Sequence, residues 1–288
     1  MDTDRQRDLL AQLTAGIERL TTSDEWQRYL QAQARFHRYS MGNVLLIMAQ
    51  SPEATQVAGF KTWIHMDRHV RKGEHGIWIL APMVGRVTKT DDDGQETAHK
   101  MLRGFRPVPV FDLAQTDGTD LPSPLSLLQG EDEAGAFETL ARVAKGWGWT
   151  VADADAGKLG AANGMTCHLT REILVSAERS PLQRVKTLTH EMGHALLHGE
   201  DCTYRADRGL VELEAESVAY VVCGSLGLST DDYSLGYVAG WSGDGETAVS
   251  VIKRSGERIQ RTAAQVLTAL EDLSAHHVAG LNRTEILR

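Results

Sequence analysis

The 288-residue sequence predicts an α+β fold arranged in two domains. Helical and β-type patterns are mixed in the first 110 residues, and a polar stretch rich in turn residues follows them. Helical patterns then dominate the rest of the chain. We therefore expect an α+β domain at 1–115, an interdomain linker at 116–130, and a mainly helical domain with a small sheet at 131–288.

The N-terminal region begins with two predicted helices. Leu9, Leu13 and Ile17 recur at helical steps in the first helix, and Thr22 or Ser23 can cap the second. A short apolar helix follows in GNVLLIMAQ. Three later runs predict strands around a glycine-bearing loop: QVAGF, GIWILAPMV and RGFRPVPVF. The acidic stretch TKTDDDGQETAHK between the last two predicts a hairpin tip.

The C-terminal region predicts helices around two short strands. EAGAFETLARVAKGWGW reads as a helix, and GMTCHLTREILVS as two strands. In SPLQRVKTLTHEMGHALLHG, Ser180 and Gln183 form a capping box, Pro181 suits the first turn, and Gly199 can end the helix. RGLVELEAESVAYVVCGSLGL is the next helix, and residues 244–288 are also predicted to be helical.

Charge is distributed unevenly along the chain. Residues 1–110 carry a net charge of +2 and residues 111–288 a net charge of −11, within a total of −9. Within 26–73, seven basic residues face only Glu53 and Asp67. The total charge argues against a simple nucleic-acid binder, but a basic segment joined to an acidic half remains compatible with nucleic-acid binding. The alternative is a solvated charged surface.

Composition also bears on the compartment. Cys167, Cys202 and Cys223 are odd in number and form no CxxC pair, so a disulfide framework is disfavoured and a reducing cytoplasm is expected. MDTDRQRDLL is too charged for a signal peptide, and no apolar run approaches the ~20 residues that span a bilayer. We expect a cytoplasmic protein without a membrane partner.

The motif His190-Glu191-x-x-His194 predicts a metal site. On one helix the two histidines lie a turn apart on the same face, so both rings can reach one ion. Zn²⁺ suits two imidazoles plus a carboxylate and leaves a position for water, from which Glu191 can take a proton. The alternative is a histidine-bearing core helix.

The third ligand is predicted on the following helix. His198 lies ~12 Å from His190 along a continuous helix, too far to share one ion, so we expect it to be a helix-end residue near the C-terminal dipole. Glu212 can complete a His₂Glu site, and Glu216 can hold a ligating histidine through its free ring N–H. Glu214 reads as a solvated glutamate. Cys202 stays a weaker alternative ligand.

Two segments of this region resemble a known peptidase family. HEMGHALLH followed by ELEAESVAYVV resembles the zinc-dependent peptidases of the ImmA/IrrE type. The resemblance implies that His190, His194 and Glu212 are ligands and that Glu191 is the catalytic base. Glu216 stands where that family often has asparagine, and GSLGL replaces its usual Leu-Met-Pro.

A second resemblance rests on three segments of the N-terminal half: RFHRYSMGNVLLIMAQSPEATQVAGFKTW, VRKGEHGIWILAP and RGFRPVPVFDLAQTDGTDLP. They resemble the single-stranded-DNA-binding domain of ArdC-type antirestriction proteins, which commonly has Leu-Gly-Arg where this chain has HMDRHV. In that family the domain precedes a metallopeptidase domain. The candidate DNA-binding residues are basic, aromatic or amide side chains: Arg35, Arg38, Tyr39, Asn43, Lys61, Trp63, Arg71 and Lys72.

Aromatic residues divide between the two roles. Phe36 can join Tyr39 and Trp63 in stacking on bases, whereas Trp26, Phe60 and Trp78 are expected in the core. We see no groove-reading helix, which disfavours sequence-specific duplex recognition.

The combined prediction is a single-stranded-DNA-binding antirestriction protein of a mobile element with a zinc peptidase domain. Tyr233 or Tyr237 can donate to an oxyanion in that domain, or simply pack. Two alternatives remain. One is a regulatory zinc endopeptidase that cleaves a repressor and docks its protein substrate on the basic half. The other is a DNA-binding module with a purely structural zinc site.

Overall fold

We describe the fold from a computed structural model of the chain. It describes residues 2–90, 96–121, 133–199, 208–230 and 248–285. The described helices are α1 (Asp2–Arg19), α2 (Ser23–Arg35), α3 (Met41–Gln50), α4 (Phe60–His65), α5 (Glu133–Gly146), α6 (Ala156–Leu159), α7 (Pro181–Leu197), α8 (Arg208–Ser225) and α9 (Ala248–Glu285). The described strands are β1 (Val57–Ala58), β2 (Arg68–Val70), β3 (Ile77–Thr90), β4 (Glu96–Asp112), β5 (Thr116–Gly118), β6 (Thr150–Ala154), β7 (Gly164–Cys167) and β8 (Glu172–Ser176).

The chain forms two compact units, and the predicted α+β class is confirmed. The first unit contains Met1–Glu18 and Gly42–Asp120, and the second contains Arg19–Met41 and Leu121–Arg288. The sequence-based boundaries differ from this division because α2 belongs to the second unit. Most of the predicted linker, the hairpin tip, Tyr233, Tyr237 and Cys202 lie outside the described residues.

A long antiparallel hairpin dominates the first unit. β3 and β4 pair from Ile77 opposite Val110 to Thr90 opposite Glu96, and β1 adds to the other edge of β4. β2 and β5 form a separate antiparallel ladder. The inner part of the hairpin carries the core, where Ile77, Ile79 and Val110 are buried.

Two amide side chains of α3 cover the open edge of β3. The Asn43 side chain accepts from the N–H of Leu80 (2.9 Å) and donates to its C=O (3.1 Å). Gln50 makes the same pair of hydrogen bonds with Trp78, at 2.9 and 2.8 Å. An edge strand otherwise leaves such groups unpaired. These bonds fix α3 against the hairpin and give Asn43 a structural role.

The turn before β2 places an aspartate in a backbone conformation that glycine usually adopts. Asp67, in the HMDRHV segment, has a φ of 55°, a left-handed conformation that favours glycine and that aspartate tolerates better than most residues. Arg68 is buried and donates to the hydroxyl of Thr116 and the carbonyl of Gly118, among other acceptors. This arginine therefore holds β5 against β2.

The second unit packs helices against a three-stranded mixed sheet of order β6–β8–β7. β6 runs parallel to β8, and β7 runs antiparallel to it, at the edge of the sheet. α2 is integrated into this unit: Trp26 is fully buried and donates to the Ser217 hydroxyl at 3.2 Å, and the Ser225 hydroxyl donates to the Ala34 carbonyl at 2.7 Å.

Most predicted elements are present, with local differences. QVAGF contributes only the two residues of β1, and α4 begins at Phe60. Thr22 is the N-cap of α2, accepting from the N–H of Glu25. At α7 the Ser180 hydroxyl accepts from the N–H of Gln183 (3.3 Å), but the Gln183 side chain donates to Thr187, so the capping box is half formed. No described helix combines the length and apolar character needed to cross a bilayer.

Candidate metal centre

The two histidines of the motif lie on the same face of α7. Their Nε2 atoms are 3.0 Å apart, and the ring centroids are 4.7 Å apart. Between them on α7, Gly193 allows close packing against α8, because a Cβ there would lie 3.0 Å from the Cα of Ala215. This close approach brings the side chains of α8 to the histidines.

Glu212 of α8 completes the cluster. Its Oε2 lies 3.5 Å from the Nε2 of His190 and 3.7 Å from that of His194. Atoms bound to one tetrahedral Zn²⁺ at about 2.0–2.1 Å lie roughly 3.3 Å from one another. The spacing of His190, His194 and Glu212 therefore fits a divalent metal ion.

Each histidine ring is held from behind through its Nδ1 atom. The Nδ1 of His190 contacts Oε2 of Glu216 at 2.9 Å. The Nδ1 of His194 contacts the Nδ1 of His198 at 3.1 Å, and the Nε2 of His198 contacts Oε2 of Glu214 at 3.0 Å. Both ligand rings are thus oriented by carboxylates, one directly and one through His198.

The contact between Glu214 and His198 shows that the surroundings expected for these two side chains were wrong. Glu214 was expected in solvent and is 1% exposed, and His198, expected at the helix end beside the dipole, is buried against it. Arg258 of α9 completes the group: it lies 3.3 Å from Oε2 of Glu214 and donates to the carbonyl of Leu197 at 2.7 Å. His198 does cap α7, but its side chain serves the cluster.

These contacts determine where the lone pairs point. An ionised carboxylate only accepts, so the Nδ1 of His190 carries hydrogen and its Nε2 presents a lone pair. By the same rule His198 donates to Glu214 and accepts from His194, which leaves the Nε2 of His194 with a lone pair. Two lone pairs and a carboxylate oxygen then face one another, an arrangement that favours a positive charge between them, either a proton or a metal ion.

The negative charge around His190 also stabilises a proton on its ring. Burial lowers the pKa of His190, but hydrogen bonds to Glu212 and Glu216 and the charge of Glu191 raise it, to a net value of about 10. An environment that stabilises a proton so strongly also favours a divalent cation at the same atoms.

Glu191 lies at the wall of a cleft beside the cluster. The cleft has a volume of about 690 Å³ and is lined by both histidines, Glu191 and the edge strand β7. The hydroxyl of Thr166 on β7 donates to the Glu191 carboxylate at 2.7 Å. Gly164 makes this fit possible, because a Cβ there would lie 2.9 Å from Oε1 of Glu191. Sequence reasoning missed both β7 residues.

The predicted DNA-binding residues do not form one set. Arg35, Arg38 and Tyr39 lie in the second unit, and the other five lie in the first. Arg38 pairs with Glu271 at 2.7 Å. Arg71 pairs with Glu74 at 2.8 Å, and this hydrogen bond raises the pKa of the guanidinium.

Further members of the set differ in exposure. Lys61, Lys72 and Arg35 are exposed, whereas Tyr39 is half-buried, and burial raises the pKa of its hydroxyl. Asn43 is engaged with β3, as described above.

The aromatic assignments need three corrections. Stacking by Trp63 on bases was wrong, because its ring is fully buried and its Nε1 donates to the carbonyl of Phe111 at 3.0 Å. Phe36 is also buried. Phe60, expected in the core, is 50% exposed. Trp26 is buried as expected, and Trp78 is half-buried beneath the guanidinium of Arg5.

Family models match both parts of the chain. The model of the N-terminal domain of anti-restriction factor ArdC matches residues 3–111, and that of the IrrE N-terminal-like domain, Peptidase_M78, matches residues 152–223. Together they cover more than half of the chain. They define a protein in which an anti-restriction domain precedes a metallopeptidase-like domain. The chain is an ArdC-type protein.

Individual proteins are similar at low identity. An uncharacterized protein of Bacillus anthracis is 23% identical over an alignment 273 residues long, which covers 83% of this chain and 46% of the relative. The chain therefore spans about half the length of that protein. The metal-free crystal structure of antirestriction protein ArdC from plasmid R388 is 21% identical and has a TM-score of 0.44, over 81% of this chain and 85% of that one. Its Mn(II)-bound form is 18% identical with a TM-score of 0.42, over 80% and 84%.

Proposed function

We propose that this protein is a single-stranded-DNA-binding antirestriction protein whose second unit is a zinc-dependent peptidase. The convergence of two imidazole lone pairs and the Glu212 carboxylate at one point, beside the carboxylate of Glu191, supports the peptidase. The match of residues 3–111 to the ArdC N-terminal domain supports the DNA-binding half.

In this proposal His190, His194 and Glu212 hold Zn²⁺, with Glu216 orienting the first ring. The bound ion supplies Lewis acidity toward a water and a peptide carbonyl. Glu191 accepts the proton of the attacking water and returns it to the leaving amine nitrogen. The hydrogen bond from Thr166 holds the Glu191 carboxylate in place beside the cleft.

An extended peptide is the substrate that the cleft favours. β7 pairs only with β8 among the described strands, and its other edge lines the cleft next to Glu191. An extended chain can add to such an edge through main-chain hydrogen bonds, and the side chains of alternate residues then face the wall. Met165 on this strand is 43% exposed and provides an apolar contact for the substrate.

Exchange of Glu191 for glutamine tests the proposed chemistry. We expect Glu191→Gln to bind zinc with unchanged stoichiometry and to cleave a quenched-fluorescent peptide library at least ~100-fold more slowly than the wild type, because a general base contributes about 10²–10⁴-fold. Glu178→Gln is the matched control, since Glu178 is exposed and lies outside the cleft. Full cleavage by the zinc-loaded Glu191 variant would refute this mechanism.

A further inference from the structure

The outer part of the β3–β4 hairpin exposes an unusual number of large apolar side chains. They are between 41% and 57% exposed and lie on neighbouring strands: Met83, Val84, Met101, Leu102 and Phe105. The inner part of the same hairpin is buried, so this exposure begins where the hairpin leaves the core. Val84, Leu102 and Phe105 share one face of the hairpin. Neighbouring exposed apolar residues of this kind mark interaction surfaces.

The same part of the hairpin is uniformly basic. Residues 77–90 and 97–111 contain no Asp or Glu and contain five Lys or Arg residues. Four of these have described side chains, all exposed and none paired with a carboxylate of another described residue: Arg86, Lys100, Arg103 and Arg106. Arg38 and Arg71, by contrast, are occupied by carboxylates.

The strand register places cations and apolar groups on one face. Arg86 lies opposite Lys100, Val84 opposite Leu102, and Pro82 opposite Phe105. Residues that face each other across an antiparallel pair share a face, and like charges at such positions repel. The Arg86–Lys100 pair therefore gains stability when an anion binds over it, and Phe105 lies about 13 Å along the strand from that anion.

A β-bulge places a further cation, Arg103, on the opposite face of the hairpin from Arg86 and Lys100. The register shifts between Met83 and Val84, which leaves Arg103 without a partner on β3. Its side chain lies across Gly85, where a Cβ would come within 2.3 Å of the Arg103 Nε. Gly85 thus makes room for a guanidinium at the middle of the exposed segment.

We propose that the outer β3–β4 hairpin, residues 82–86 and 100–106, is the surface that binds single-stranded DNA. This inference rests on the proposed DNA-binding function and assigns its location. Arg86 and Lys100 contact phosphates, and the exposed ring of Phe105 on the same face stacks on an unpaired base, a contact that duplex DNA does not offer. This proposed interface does not include Trp63 and Asn43, whose side chains form hydrogen bonds within the fold.

Titration of the full-length protein with a fluorescein-labelled oligo(dT), followed by anisotropy at several salt concentrations, tests the location. The double variant Arg86→Ala/Lys100→Ala should bind at least ~10-fold more weakly, and its log–log salt slope should fall by about 1.4, the value for two lost phosphate contacts. Phe105→Leu should also weaken binding about tenfold, whereas Phe105→Tyr, which keeps an aromatic ring, should bind like the wild type. Lys145→Ala/Lys158→Ala removes equal charge from exposed sites of the second unit and should bind like the wild type.

The possible failures are distinguishable. If the wild type binds and the hairpin variants bind equally well, with unchanged circular dichroism, the hairpin assignment is overturned and the proposed function stands. If the wild type does not bind oligo(dT) at low salt, the DNA-binding function itself fails. If polyglutamate competes as well as unlabelled oligo(dT) at equal charge, the surface serves an acidic protein and the assignment to DNA is overturned.

Discussion

At the scale of single residues, the buried Glu214–His198 pair changes how the metal centre is understood. A charged glutamate that is 1% exposed is costly unless it is paired, and here it is held by a histidine and by Arg258. The pair donates no ligand of its own. Its effect is to orient His194 and to fix its tautomer. Because His198 accepts a hydrogen bond from Nδ1 of His194, the ring hydrogen stays on Nδ1 and not on Nε2.

Replacement of Glu214 by glutamine should therefore weaken metal binding without removing a ligand. Glutamine can donate to His198 and so permit the wrong tautomer of His194, and outer-shell partners of this kind are worth about 10- to 100-fold in metal affinity. We expect Glu214→Gln to raise the zinc Kd at least ~10-fold in competition with a chromophoric chelator. Glu257→Gln, an exposed change on α9, is the control. An unchanged Kd would show that Glu214 only balances the charge of Arg258.

The contrast between Glu212 and Glu214 shows which residues sequence reasoning reaches. His190, His194, Glu212 and Glu216 were predicted because their spacing on two helices already places them on common faces. Glu214 lies on another face of the same helix, and nothing in the local sequence indicates that His198 contacts it there. Its role depends on how α7, α8 and α9 pack, which periodicity does not report.

At the scale of elements, the contact between β7 and α7 positions Glu191, the proposed general base. Gly164 and Thr166 both face Glu191, one by leaving space and the other by donating a hydrogen bond. This contact is independent of the three ligands, which lie on α7 and α8. Metal binding and proton transfer are therefore separable by mutation.

Gly164→Ala should impair cleavage more than metal binding. The added Cβ would lie 2.6 Å from Cγ2 of Thr187 and 2.9 Å from Oε1 of Glu191, so the carboxylate must move. Because a displaced base loses much of its contribution, we expect peptidase activity to fall at least ~10-fold while the zinc Kd stays within ~3-fold of the wild type. Gly157→Ala, at an exposed site in α6, is the control. Parallel loss of metal and activity would instead indicate general disruption of the site.

Element prediction succeeded where patterns are local and failed where elements share partners. α7 was predicted from Ser180, Pro181 and its apolar stripe, and it begins at the expected residue. β6 was missed because its partner β8 lies more than twenty residues away in sequence. Trp63 was misassigned for a related reason: an aromatic residue two positions after Lys61 looks exposed until the carbonyl of Phe111 is found to accept a hydrogen bond from its Nε1.

At the scale of the whole molecule, the order of segments along the chain and the division into units do not coincide. The ArdC N-terminal match spans residues 3–111, yet Arg19–Met41 within it belongs to the second unit. α2 buries Trp26, Tyr29 and Leu30 completely, and Trp26 donates to Ser217 on α8, five residues after the predicted ligand Glu212. The unit with the metal centre is thus assembled from two distant parts of the sequence.

A fragment cut at the sequence-predicted boundary should consequently fail to fold. Residues 131–288 lack α2, and truncation of even one large buried side chain costs about 3–5 kcal/mol against a total stability of about 5–15 kcal/mol. We expect this fragment to show no cooperative thermal transition and no tight zinc binding, whereas addition of a peptide of residues 19–41 restores part of both. In the full chain, Trp26→Ala should lower the temperature at which the second unit, which contains the metal centre, unfolds in calorimetry. Trp78→Ala, a change in the first unit, should leave that unfolding temperature unchanged. Cooperative folding and wild-type zinc affinity of residues 131–288 alone would show that α2 is dispensable and that the metal centre depends only on the C-terminal segment.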